Sequence, residues 1–259
     1  MFGRARRRGH LSAWFRPAGA RPFVLGHRGA RHAAPENTLA AFELARVEGA
    51  DGVELDVRLD RDARVIVLHD RTLERVTEGS ETRDVEALGA SELSGVSLRG
   101  ERVPLLADVL AWARERNLRV NVELKRDVSR PLALLRNVSR VVRASGAGPE
   151  RVLFSSFNPA LVAALATLCP DFPGAWLIDA KSRVLGRAPG LRLVADGVNP
   201  HHDLVTQAAM SRWKRAGAPV ATWTVNDAAE ARRVAGLGVD LVISDKPGDI
   251  LQALAGGGP

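Results

Sequence analysis

Gly52-Val53-Glu54-Leu55-Asp56-Val57, followed after a polar turn by Val65-Ile66-Val67-Leu68-His69-Asp70, is the stretch on which the fold turns. Successive side chains of a β-strand alternate between faces, so Glu54 and Asp56 share one face while Val53, Leu55 and Val57 share the other. Carboxylates about 6–7 Å apart along one strand face repel in a low-dielectric interior unless a cation stands between them. Asp60-Arg61-Asp62-Ala63 carries turn residues, and the β-branched run after it reads as the return arm of a hairpin. If residue 60 pairs with 63, Glu54 faces His69 across that hairpin. An imidazole then stands beside the acid pair, and this polar strand face reads as a site.

Working outward, Phe23-Val24-Leu25 is a strand ending in Gly26-His27-Arg28-Gly29. After a loop with Pro35, Asn37 or Thr38 can cap a helix whose apolar face includes Leu39, Phe42 and Leu44, and Gly49 ends it. Residues 71–103 are polar, hold four glycines and lack a strong period, so they read as an excursion with one or two short helices. Beyond Pro104, helices are expected to about Arg116 and over 131–144, 159–168, 203–216 and 227–235, with a last one opened by Pro247. Strands are expected over 118–124, 152–155, 174–178, 192–198, 219–225 and 240–244. With the return arm set aside, eight strands alternate with helices and are apolar on both faces, the sixth being the least marked. That pattern predicts an α/β chain with a closed parallel barrel, although periodicity alone also permits an open doubly wound sheet.

The chain of 259 residues is long enough for such a barrel, and 46% apolar with 26% charged residues is the composition of a soluble globular protein. No apolar run reaches the length of a membrane span, and no apolar segment of signal-peptide length follows the basic start. The single cysteine, Cys169, forbids an intrachain disulfide and suits a reducing, cytoplasmic setting. The net charge of +7 comes from arginines spread along the chain, with lysine only at 125, 181, 214 and 246. Solvated helix faces account for that spread, and no basic groove interleaved with aromatic residues points to nucleic acid. The one cluster is Arg4-Ala5-Arg6-Arg7-Arg8. Residues 1–21 therefore read as a basic, disordered tail, capable of at most weak contact with anionic lipid through Trp14 and Phe15.

In a parallel barrel, functional residues belong at the C-terminal ends of the strands. His27 and Arg28 end the first strand, Glu54 and Asp56 lie in the second, Glu123 and Lys125 end the third, Trp223 and Asn226 the seventh, and Ser244 and Asp245 the eighth. Glu54, Asp56 and Glu123 make an oxygen-rich pocket that selects Mg²⁺ or Ca²⁺ over zinc. Each acid alone could equally form a structural ion pair, Glu123 with Lys125 for example. His27 and His69 flank the trio and can divide acid and base roles, while Arg28 and Lys125 bring positive charge to an anionic group. Trp223 and Phe157 fit either an apolar pocket wall or ordinary packing. Asn226 and Asp245 read as capping residues. One of His201 and His202 can line the pocket, whereas His10 and His32 read as solvated. Ser155 and Ser156 lack the partners of a nucleophilic serine.

Gly26-His27-Arg28-Gly29, Pro35-Glu36-Asn37-Thr38 with Ala41-Phe42, Gly52 to Val57, Leu68-His69-Asp70-Arg71-Thr72-Leu73 and Val122-Glu123-Leu124-Lys125 occur in the order in which they stand in the glycerophosphodiester phosphodiesterase family, which the chain resembles over residues 22–253. Thr222 to Asn226 and Val242 to Pro247 match that family's closing motifs. The resemblance implies a TIM (β/α)8 barrel over 22–255 with a small insertion after the second strand, near 71–103. It implies metal-dependent hydrolysis of glycerophosphodiesters to sn-glycerol 3-phosphate and an alcohol. Position by position, His27 and His69 match the acid–base pair, Glu54, Asp56 and Glu123 the Mg²⁺ or Ca²⁺ ligands, and Arg28 and Lys125 the phosphate contacts. The competing expectations are a phosphodiesterase acting on lysophospholipids and a barrel that binds phosphate or membrane without turnover.

Overall fold

The computed structural model describes residues 10–182 and 195–256, so the Arg4–Arg8 cluster lies outside it. Nine strands form one sheet: β1 (Phe23–His27), β2 (Gly52–Leu59), β3 (Val65–Val67), β4 (Arg119–Leu124), β5 (Val152–Ser156), β6 (Gly174–Ile178), β7 (Gly197–Pro200), β8 (Ala221–Thr222) and β9 (Leu241–Ser244). The helices are α1 (Leu39–Val47), α2 (Ala90–Ser94), α3 (Leu106–Glu115), α4 (Pro131–Ala144), α5 (Pro159–Leu168), α6 (Gln207–Arg215), α7 (Ala228–Leu237) and α8 (Pro247–Ala255). Eight strands run parallel in the order β8-β9-β1-β2-β4-β5-β6-β7, and β3 lies antiparallel on β2. Parallel bridges Val198–Val220 and His201–Trp223 join β7 to β8. The sheet thus closes on itself as a TIM barrel, and the open-sheet alternative falls.

Strand alternation sorts the side chains into two sets. Val53, Leu55, Val57, Val120, Val122, Leu124, Val152 and Phe154 pack outward on helix residues such as Phe42, Leu110 and Leu134. The alternate set, with Leu25, Leu153, Ala175, Ala221, Leu241 and Ile243, meets inside the barrel. Higher on the same inner wall stand Glu54, Asp56, Asn121, Glu123, Ser155 and Asn199, all buried. The apolar inner layer occupies the strand starts and the polar one their ends, which is where the site forms.

Residues 10–21, grouped with the tail in the sequence reading, include a 3₁₀ turn at Ser12–Trp14, and Trp14 is fully buried among the inward residues. Its indole Nε1 donates to the Pro149 carbonyl at 2.9 Å. Burying so large a ring removes more apolar surface from water than any other side chain can, which explains why this stretch folds back on the barrel.

The hairpin register differs by one residue from the expected pairing. Val57 pairs with Val67 and Leu59 with Val65, so position 60 closes on 64 rather than 63. Ala63 takes φ 61°, making a three-residue loop, and Asp60 locks it through Arg64 N to Oδ1 at 2.7 Å and Arg64 Nε to Oδ2 at 2.6 Å. His69 therefore lies beyond the ladder, past β3, rather than opposite Glu54. The excursion at 71–103 holds a 3₁₀ turn (Val85–Ala87) and α2, and it has a small core of its own with Leu73, Val85, Leu88, Leu93 and Leu98 packed on Ile66 and Leu68.

Thr38, not Asn37, caps α1 by accepting from Ala41 N at 3.2 Å, which leaves Asn37 for the site. The sixth barrel strand, β7, starts at Gly197 and runs to Pro200, later than expected, and residues 192–194 of the expected span lie outside the described residues. β8 is only two residues long, and the expected helix over 203–216 divides into a 3₁₀ turn (His202–Leu204) and α6, with Thr206 as its cap. Among the described residues no helix is long and apolar enough to cross a membrane.

Candidate active site

Parallel pairing of β2 with β4 sets Asp56 beside Glu123 and Glu54 beside Asn121. One carboxylate oxygen from each of Glu54, Asp56 and Glu123 lies within 4.8 Å of the others, and all three side chains are buried. Lys125 Nζ stands 2.9 Å from Glu123 Oε1 and 3.2 Å from Asp56 Oδ1. Asn37 Nδ2 donates to Asp56 Oδ2 at 2.9 Å, and Arg28 Nε pairs with the same oxygen at 3.2 Å. Arg28 itself is held in the left-handed region, φ 57°, where its backbone N–H donates to Glu54 Oε2 at 3.1 Å. Glu36 takes up its guanidinium Nη1 at 2.9 Å.

Burial, then repulsion from Asp56 and Glu123, lifts the Glu54 carboxyl well above the usual range. Burial also pushes Glu123 up to about 7, with Asp56 adding to the rise and Lys125 opposing it. Burial acts upward on Asp56 as well, but Lys125 and Arg28 outweigh it and hold that carboxyl below the ordinary range. Three oxygen donors so crowded fit a hard divalent cation of the Mg²⁺ or Ca²⁺ kind. Asn121 Oδ1, buried on the same wall without a hydrogen-bond partner among the described residues, adds to the oxygen-only donor set.

His27 Nε2 is 4.0 Å from Glu54 Oε2, and its Nδ1 is 2.6 Å from Asp245 Oδ1. His69 Nδ1 is likewise 2.6 Å from Asp70 Oδ1. Each ring thus has a carboxylate on Nδ1, which leaves Nε2 for chemistry. Burial lowers both imidazole pKa values; Asp245 works against this at His27, and Asp56 does so at His69. Asp245 is in turn held by Asn226 Nδ2 at 2.7 Å, and Asp70 by Arg75 Nε at 2.6 Å. Asp245 is therefore the brace of His27 rather than a capping residue, and Asn226 serves that brace.

Arg58 was not singled out from the sequence, yet it follows Glu54 and Asp56 on the same strand face. Its guanidinium is buried, donates from Nε to the His69 carbonyl at 2.9 Å and grips both Asp127 carboxylate oxygens at 2.8 and 2.7 Å. It ties the loop bearing His69 to the segment just beyond Lys125.

These groups open on one cavity of about 310 Å³, lined by both histidines, Glu54, Glu123, Arg28 and Lys125, with Phe157, Leu177 and Trp223 on its apolar side. Phe157 meets Trp223 edge to face at 5.4 Å, and Trp223 Nε1 donates to the Asn199 carbonyl at 2.8 Å, so both line the pocket while packing together. His201 and His202 are not among the lining residues; His201 contacts Trp223 edge-on at 5.2 Å. His32 is exposed, with Nε2 3.3 Å from Glu48. Ser156 donates to the Leu124 carbonyl at 2.8 Å, a structural role.

Comparison with known proteins places this arrangement. Residues 27–249 match the model of the glycerophosphoryl diester phosphodiesterase family. A glycerophosphodiester phosphodiesterase of Caldanaerobacter subterraneus is 29% identical over 241 residues, covering 91% of this chain and 98% of its own length. A solved phosphodiesterase of Oleispira antarctica, in complex with the product sn-glycerol-3-phosphate, superposes with a TM-score of 0.80 at 26% identity, covering 91% of this chain and 97% of that one. The glycerophosphodiester phosphodiesterase of Agrobacterium tumefaciens gives a TM-score of 0.76 at 28% identity, covering 90% and 99%. With the barrel, the acid trio and the matched motifs in agreement, the chain belongs to the glycerophosphoryl diester phosphodiesterase family.

Proposed function

We propose that this chain is a cytoplasmic, divalent-metal-dependent hydrolase that cleaves glycerophosphodiesters to sn-glycerol 3-phosphate and an alcohol. One observation carries the reading: a cluster of three buried carboxylates, Glu54, Asp56 and Glu123, presents Glu54 and Glu123 to a single cavity that two carboxylate-braced imidazoles, Arg28 and Lys125 also line. The Oleispira relative's complex with sn-glycerol-3-phosphate supports the same substrate class. Glu54, Asp56 and Glu123 would hold Mg²⁺ or Ca²⁺, which when bound supplies positive charge against the phosphoryl oxygens.

The chain's own groups do the rest. Arg28 and Lys125 offset the charge that grows on phosphorus-bound oxygens as a nucleophile approaches. One imidazole takes the proton of the glycerol 2-hydroxyl through its unbraced Nε2 as that oxygen attacks phosphorus. The other imidazole gives a proton to the departing alcohol, and a cyclic phosphate remains. The roles then reverse: the newly neutral ring takes a proton from water as it attacks, and the protonated ring returns its proton to the 2-oxygen. One water is consumed, and both rings end as they began. Trp223, with Phe157, shapes the apolar side against the glycerol or the alcohol group.

A coupled assay for glycerol 3-phosphate, run on glycerophosphocholine, glycerophosphoethanolamine and a lysophospholipid side by side, tests this. Turnover of the first two, abolished by chelation and restored by Mg²⁺ or Ca²⁺, is expected. Turnover that survives thorough chelation would remove the metal role, and activity confined to the lysolipid would move the substrate class.

A further inference from the structure

The two imidazole braces do not end at Asp245 and Asp70. Each of these carboxylates is held by an arginine, and both arginines reach the same acid. On one side Asp70 Oδ2 accepts from Arg75 Nε at 2.6 Å, and Arg75 lays its fork on Glu36, with Nη2 2.7 Å from Oε1 and Nη1 3.0 Å from Oε2. On the other, Arg31 Nε is 3.2 Å from Asp245 Oδ1, and its Nη1 is 3.5 Å from Glu36 Oε2. Arg28 completes the set, with Nη1 2.9 Å from Glu36 Oε1. An unbroken chain of polar contacts thus runs from His27 through Asp245, Arg31, Glu36, Arg75 and Asp70 to His69. Glu36 sits at its midpoint, with only 11% of its side chain exposed.

We propose that Glu36 is a positioning residue: it gathers Arg28, Arg31 and Arg75 so that the phosphate contact and the braces of both imidazoles are set as one unit. Its own backbone is fixed on either side. The Asn37 N–H donates to the Arg28 carbonyl at 2.9 Å, and Thr38 Oγ1 donates to the Pro35 carbonyl at 2.6 Å. Burial acts to raise the Glu36 pKa, but Arg75 and Arg28 outweigh it and hold the carboxyl below the ordinary range. The arrangement calls for a carboxylate, because three guanidiniums converging on a neutral group would repel one another and leave their partners. Arg75 belongs to the excursion at 71–103, so Glu36 also joins that segment to the strand ends. Exposed ion pairs add little to stability, and Arg75 is half-exposed. The value of the network lies in geometry, since a displaced catalytic group costs rate out of proportion to stability. The inference rests on the acid–base reading proposed above.

The test pairs kinetics on glycerophosphocholine, with Mg²⁺ present, with ¹⁵N NMR of the histidine ring nitrogens, which reports the tautomer of each ring without turnover. Arg75→Met should lower kcat at least about tenfold and leave KM within about threefold. Glu36→Gln should lower kcat at least as much and raise KM too, because Arg28 loses its hold. Glu36→Gln/Arg75→Met should lose about what the worse single variant loses, not the product of the two. Arg83→Met is the control. Arg83 is as exposed as Arg75, lies in the same excursion and also grips two acids, Glu81 and Glu92, neither of which belongs to the site. Its loss should leave kcat within about twofold. In the spectra, Arg75→Met should move His69 towards the mixed-tautomer position, Arg31→Met should do so for His27, and Glu36→Gln for both. Failure of the acid–base reading shows separately, as losses under about tenfold in His27→Ala and His69→Ala, and the ring spectra then still decide the network. Ring signals unmoved in Glu36→Gln, or Glu36→Gln turnover no lower than that of Arg83→Met, would overturn the proposal.

Discussion

At the scale of single residues, the chemistry depends on what stands behind each imidazole. Asp245 contacts Nδ1 of His27 at 2.6 Å and fixes which nitrogen carries the proton, so the opposite nitrogen is the one the proposed mechanism uses. Asp245→Asn keeps the size but removes the charge and frees the tautomer; kcat should fall about 10²–10⁴-fold, the range typical of general acid–base help and of its orienting carboxylate. Asp245 also raises the His27 pKa against the lowering caused by burial. Its loss should therefore carry the limb of the pH–rate profile that His27 governs, acid if it is the base and alkaline if it is the acid, to lower pH, a sign that a merely structural defect would not produce. His27→Ala and His69→Ala should each cost at least the same factor. Less than tenfold in both, with glycerophosphocholine as substrate, would mean that the two rings are not the acid and base.

At the scale of elements, strand alternation made the site legible. Glu54 and Asp56 declare themselves because acids on one face of an otherwise apolar strand need a reason, and the rule that chemistry gathers at strand ends brought Glu123, Lys125 and His27 to the same place. The same alternation carries Arg58 onto that face, but an arginine near a turn looks like solvated surface until its partners are known. Those partners, the His69 carbonyl and Asp127 at 2.7 Å, are contacts across the fold that no local pattern states. The hairpin slipped by one residue for a related reason: Ala63 adopts φ 61°, a conformation its side chain does not advertise. Asp245 lies 218 residues from His27 and was visible only as another acid at a strand end. The clamp makes its own prediction. Arg58→Met keeps the volume but releases His69; if His69 is the acid or base proposed above, kcat should drop about tenfold or more while KM shifts far less, because displacing such a group costs rate rather than binding. Asp127→Asn, half-exposed, should give a milder fall of the same kind, and equal losses in kcat and KM would argue against the clamp.

For the whole molecule, the barrel divides into an end that reacts and an end that holds it closed. The strand ends carry the carboxylates and imidazoles; the strand starts hold Leu153, Ala175, Ala221 and Leu241, with Trp14 closing that layer. Arg119 reinforces the seal, with its guanidinium 3.7 Å from the Phe23 ring centre and Nη2 donating to the Ala13 carbonyl at 3.2 Å. A ring buried completely, with its one polar atom satisfied by Pro149, contributes stability without touching the reaction. Trp14→Ala would leave a cavity that the strands cannot collapse to fill, costing about 3–5 kcal/mol. For a domain of this size that corresponds to a fall in Tm of roughly 6–20 °C. Trp14→Phe, which refills most of the volume but drops the hydrogen bond, should recover more than half of the loss. Because the site is built at the other end of the strands, kcat measured well below the lowered Tm should stay within about twofold of the parent. A Trp14→Ala protein that kept its Tm would show that residues 10–21 only rest on the barrel, and one that kept its Tm but lost turnover would show the two ends to be coupled.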